Sequence, residues 1–127
     1  MGSTQSSKCK MQGCTEDGTL QHELLECSHN DEVGNKLIDW LQQHVPGLQP
    51  EDVLRLAHGD ITEELSLPVS LLTAITLRHI WRERGAGTQI RAYKVRADLE
   101  QYITLLRTTR LASTAAKLAE ITSLMFQ

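Results

Sequence analysis

Pro68-Val-Ser-Leu-Leu-Thr-Ala-Ile-Thr-Leu-Arg-His-Ile-Trp-Arg-Glu-Arg84 decides the fold class. At helical spacing, Val69, Leu71, Leu72, Ala74, Ile75, Leu77, Ile80 and Trp81 surround the axis, so the first three turns are apolar nearly all round. A helix of that kind has to be covered on most sides and belongs at the centre of a core. Pro68 suits the first turn, where its missing N–H is not needed. The basic last turn suits the negative end of the helix dipole, and Gly85 and Gly87 stop the helix.

Working outward, the pattern stays helical. Residues 89–109 carry a stripe of Ala92, Val95, Leu99, Tyr102, Ile103 and Leu106 in three- and four-residue steps. This 92–106 seam packs either on the central helix or on a partner protein, a second copy included. A last helix, 113–125, presents Ala115, Leu118, Ile121, Leu124 and Met125, after an interruption at Thr108, Thr109 and Ser113. Towards the N-terminus, a helix over 30–44 has Val33, Leu37, Trp40, Leu41, His44 and Val45 on one side and Glu32, Lys36, Asp39, Gln42 and Gln43 on the other. His44, within the apolar arc, reads as a core or boundary histidine. Gly34 points to the close approach of another helix. Ser28 and Asp31 resemble a capping box ahead of this helix, and Pro46 ends it. Pro50-Glu51-Asp52 opens a shorter helix with Val53, Leu54 and Leu56, which stops at Gly59. The expected fold class is all-α: a small bundle of four or five helices over residues 30–127, with a zinc-knuckle-like segment at its N-terminal side.

That segment is Cys9-Lys-Met-Gln-Gly-Cys14-Thr-Glu-Asp-Gly-Thr-Leu-Gln-His22-Glu-Leu-Leu-Glu-Cys27. Thiolate and imidazole ligands suit tetrahedral zinc, and Cys9, Cys14, His22 and Cys27 make a Cys3His set. Four protein ligands leave no open position, so the ion's part is structural. His29 is a reserve ligand, and Met11 stands where the commoner two-residue spacing would put a cysteine. The alternative is three unconnected thiols and a surface histidine, with Cys27 a small buried hydrophobe.

The length of 127 residues suits one core, and the three cysteines all fall in the proposed metal site. An odd count without a disulfide framework points to a reducing compartment, hence an intracellular, cytoplasmic or nuclear location. No apolar run is long enough to span a bilayer. Residues 1–8 read as a disordered leader, and Met1-Gly2-Ser3-Thr4-Gln5-Ser6 matches the N-myristoylation pattern at Gly2. Charge is uneven: residues 1–77 hold four Lys/Arg against twelve Asp/Glu, and residues 78–110 hold eight against three. Arg78, Arg82, Arg84, Arg91, Lys94 and Arg96 are therefore candidate phosphate contacts. The competing reading is that they neutralise the acidic first half.

Gly18-Thr19-Leu20-Gln21-His22-x4-Cys27, preceded by the cysteine pair, resembles the zinc-binding segment that follows the polymerase domain in non-LTR retrotransposon reverse transcriptases. Asn30-Asp-Glu-Val33-Gly34-x2-Leu37, Leu67-Pro68 and Ile80-Trp81-x2-Arg84 also look like such tails, and the likeness covers roughly residues 9–110. It implies a zinc site at Cys14, His22 and Cys27, with Cys9 at the wider spacing, and a role in holding template or target nucleic acid. Polymerase activity does not carry over, because no Tyr/Phe-x-Asp-Asp turn is present. Nor is there a glycine-rich phosphate loop, a nucleophile elbow or a His-Glu-x-x-His run. The expectation is a non-enzymatic, zinc-containing accessory module that binds RNA or DNA by phosphate contacts. The alternative is a protein-interaction module using the 92–106 seam.

Overall fold

The computed structural model describes Cys27, residues 30–44, 47–49, 52–53, 55 and 67–126. Four α-helices run through these residues: α1 (Asp31–His44), α2 (Leu67–Ala86), α3 (Ala92–Arg107) and α4 (Ala112–Met125). Asp52, Val53 and Arg55 also have helical backbone, and no strand occurs among the described residues. The all-α class is as expected. Cys9, Cys14, His22 and His29 lie outside the described residues, as does Gly2.

The helices α2, α3 and α4 pack on one another, and α1 touches all three. Their shared core takes Val33, Leu37, Trp40 and Leu41 from α1, and Leu72, Ile75, Leu77 and Ile80 from α2. It takes Val95, Leu99 and Ile103 from α3, and Ala115, Leu118, Ile121 and Met125 from α4. Burying each of the larger aliphatic side chains contributes about 1.5–3 kcal/mol. The central position of α2 follows from its sequence, but its covering is not purely apolar. Ser70, Thr73 and Thr76 are buried on it as well. Thr73 returns its hydroxyl hydrogen to the Val69 carbonyl at 3.0 Å, the usual way a buried helical threonine satisfies itself.

Trp81 departs from expectation. The apolar pattern places it around the axis of a buried helix, yet its side chain is 54 % exposed. It falls in the C-terminal half of α2, with exposed Arg78 and Arg82 beside it. In α4, Leu124 is likewise exposed, and Thr122 takes the inward position.

The ends of the helices set their mutual positions. Gly87 lies in the left-handed region at φ 74°, its N–H bonds to the Arg84 carbonyl at 3.1 Å, and the Thr88 N–H reaches the Glu83 carbonyl at 2.9 Å. This pair of bonds is a Schellman motif, and it closes α2 two residues later than the sequence pattern suggested. The Thr88 hydroxyl adds a hydrogen bond to the Glu83 carboxylate. At the start of α3, Arg91 is extended and supplies no side-chain cap. Glu32 of α1 takes that part: its Oε1 accepts the Ala92 N–H at 3.0 Å, and its Oε2 lies 3.5 Å from Arg91 Nη1. A carboxylate at a helix N-terminus also complements the dipole. Farther along the chain, the Gln49 N–H donates to the Asp52 carboxylate at 3.1 Å, the backward half of a capping box.

Candidate nucleic-acid interface

The turn at Gly87 folds α3 back along α2, and the cross-helix pairs give the register. Arg82 meets Asp98, and Arg78, one turn earlier, meets Tyr102, one turn later. That is the register of two antiparallel helices. On α2, residues 78, 81, 82 and 85 share one face by their three- and four-residue spacing, and all four are exposed. The face therefore carries two guanidinium groups and an indole.

Beneath it sits a polar cluster that the sequence pattern did not reveal. His79 is buried, and its Nδ1 lies 2.5 Å from Asp98 Oδ2. Arg82 Nη2 donates to the same oxygen at 2.6 Å. Arg82 Nη2 also stands 3.2 Å from His79 Nδ1. Both nitrogens cannot be hydrogen-bonded to each other while each donates to Asp98, so the arrangement is two donors converging on one carboxylate. Burial pushes the Asp98 carboxyl up. Hydrogen bonds from His79 and Arg82, followed by the positive charge of Arg82, outweigh that, so Asp98 sits below the usual aspartate value.

A histidine oriented by an aspartate is half of a hydrolytic triad. The other half is absent among the described residues. His79 Nε2 is buried with no hydrogen-bond partner, so no hydroxyl or thiol is bonded to it, and Glu83 Oε1 lies 3.9 Å away. The cluster braces α2 against α3 and holds Arg82 in place.

The six expected phosphate contacts do not form one patch. Arg78 and Arg82 share the exposed face of α2. Arg84 is half-buried and donates to Asn30 Oδ1 at 3.4 Å, and Arg91 pairs with Glu32, so both of these turn towards α1. Arg96 pairs with Glu100 at 3.4 Å along α3, and Lys94 is half-buried. Among the described residues, Arg91 pairs with an acid of the first half, Glu32, whereas Arg82 and Arg96 pair with acids of α3.

Of the two courses open to the 92–106 seam, its residues other than Tyr102 take the inward one. Val95, Leu99 and Ile103 are core residues, with Ala92 and Leu106 packed against them. A partner cannot reach the seam without displacing α2 and α4. The outward line of α3 is instead Tyr93, Ala97, Gln101 and Leu105, and a shallow concavity of about 490 Å³ lies along Ala97, Gln101 and Leu105.

Of the zinc set, Cys27 is described: it is fully buried, and its carbonyl accepts the Asn30 N–H at 2.8 Å. This ties it to the corner where Asn30 meets Arg84. Among the described residues no group of three or more His, Cys, Asp or Glu is placed to hold a metal ion. Nor is any described helix long and apolar enough to cross a membrane. No family model, no curated protein and no solved structure matches this chain.

Proposed function

We propose that this chain is a non-catalytic accessory module that binds nucleic acid, RNA or DNA, through phosphate contacts. In this reading zinc, held by Cys9, Cys14, His22 and Cys27, has a structural part at the N-terminal side. The observation that carries it is the exposed Arg78–Trp81–Arg82 face, with Arg82 fixed by Asp98. Residues 67–126 contain nine Lys/Arg against four Asp/Glu, so the three-helix part is basic although the chain as a whole is acidic. The resemblance of residues 9–27 to the tails of non-LTR reverse transcriptases supports the same reading.

Phosphate neutralisation releases counterions, so affinity should fall linearly with salt on logarithmic axes. Removing Arg78 or Arg82 should weaken binding across sequences and reduce that slope by about one unit for each arginine. Titrating RNA and DNA against wild type, Arg78→Ala and Arg82→Ala at several salt concentrations measures both. Binding indifferent to both substitutions would remove this face from the reading.

A second reading is a protein-interaction module. Its surface moves from the inward seam to the outer line of α3, where Tyr93 and Leu105 are both about two-thirds exposed. Self-association in sedimentation, without affinity for nucleic acid, would favour it.

A further inference from the structure

We infer that the Arg78–Trp81–Arg82 face takes single-stranded nucleic acid, with one unpaired base stacked on the Trp81 indole and neighbouring phosphates on the two guanidinium groups. This deepens the nucleic-acid reading above and rests on it.

Trp81 is not needed by the core, since the buried side of α2 is formed by Leu72, Ile75, Leu77 and Ile80. At 54 % exposure it presents a large aromatic surface to solvent. One turn further on is Gly85, and a Cβ there would meet nothing within 4 Å, so that position leaves the indole unroofed. Both cations have a partner on α3. Arg82 is held at 2.6 Å by Asp98, which His79 steadies in turn, and Arg78 Nη1 reaches the Tyr102 hydroxyl at 3.4 Å. Each guanidinium has five donors, so these contacts leave others for phosphate oxygens. The two arginines stand one turn apart, about 6 Å along the axis, and both lie to the α3 side of Trp81 on this face.

This chemistry selects a strand whose bases are not already stacked in a duplex. Unpaired bases offer a π-face, and aromatic platforms flanked by cations hold them with little sequence preference. An acidic peptide would satisfy the arginines but would leave the indole without a planar partner.

The chain supplies its own probe. It has two tryptophans, and Trp40 is buried and stacked on His44 with centroids 4.0 Å apart. Ligand-dependent quenching therefore reports Trp81. The experiment titrates the full chain with a short single-stranded DNA, the same sequence as RNA, the duplex, and an acidic peptide at matched charge. Either single strand should quench Trp81, and comparing the two tells DNA from RNA. Trp81→Ala should weaken single-strand binding by about five- to a hundredfold, with Trp81→Phe in between, and leave duplex binding nearly unchanged. Circular dichroism of Trp81→Ala checks that an exposed site has left the fold intact. Salt-dependent binding with unchanged emission and a neutral Trp81→Ala would overturn the stacking and spare the phosphate reading. Tighter binding of the duplex, or equal quenching by the peptide, would overturn the single-strand assignment. Failure of every nucleic acid to bind at low salt would sink both.

Discussion

Asp98 illustrates how much one carboxylate can organise. A single oxygen accepts from His79 on the buried side and Arg82 on the exposed side. The two contacts differ in worth. Arg82 is 56 % exposed, so its ion pair is screened and adds about 1 kcal/mol or less. His79 is 3 % exposed, and without Asp98 its Nδ1–H would be buried with no acceptor. Asp98→Ala should therefore cost about 1–3 kcal/mol at neutral pH, as read by urea unfolding. The sign of the pH dependence follows from the depressed carboxyl. Its contribution is full above the unfolded aspartate value, about 3.9, and is lost as pH falls through the lower folded value. The gap between wild type and Asp98→Ala should accordingly narrow from pH 7 towards pH 2; an unchanged gap would mean the carboxylate charge is not what matters. This pair was not legible in the sequence. His79 reads as part of a basic turn and Asp98 as one acid among arginines, and only the antiparallel register sets them opposite each other.

At the scale of elements, the punctuation residues were legible and their exact work was not. Gly85 and Gly87 both read as stops, but they play opposite parts. Gly85 lies inside the last turn of α2, whereas Gly87 adopts a positive φ beyond its end. Neither would bring an added Cβ against a neighbour, so backbone conformation alone decides the outcome. Gly85→Ala should stabilise by about 0.5–1 kcal/mol, because alanine loses less freedom in a helix. Gly87→Ala should destabilise by about 1–2 kcal/mol, because an L-residue resists the left-handed region. Thermal melts of the two variants should shift in opposite directions. The start of α3 teaches the converse lesson. No residue near Arg91 is a good cap, and the cap comes from Glu32, sixty positions away. Local signals cannot predict a cap supplied by another helix.

For the whole molecule, the division of charge is the leading feature. Residues 1–66 hold four Lys/Arg against twelve Asp/Glu, and the basic balance lies in the helices from α2 onward. The contact between α1 and the α2–α3 turn through Glu32 and Arg91 uses part of that opposition. It leaves Arg78 and Arg82 on a separate face. Zinc is the other molecule-wide question. If Cys27 shares an ion with Cys9, Cys14 and His22, then the buried corner at Asn30 is linked to the N-terminal segment. Metal analysis of the purified chain should find about one zinc, lost in Cys14→Ser, with a lower melting temperature, since binding energy at such a site is folding energy. A metal-free wild type with the same melting temperature as the variant would remove zinc from the account.

Helical class, four helix positions and most of the core were set by the sequence itself, because apolar spacing of three and four residues is a local property that any compact solution must bury. What tertiary packing alone decided was which apolar residues stay outside and which polar ones go in. Trp81 and Tyr102 sit in patterns that look internal, yet both are exposed. The return of α3 along α2 takes the rest of the 92–106 seam into or against the core, buries His79, and joins it to Asp98. Periodicity states that a helix has a face to hide; only the neighbours, once placed, determine where that face ends.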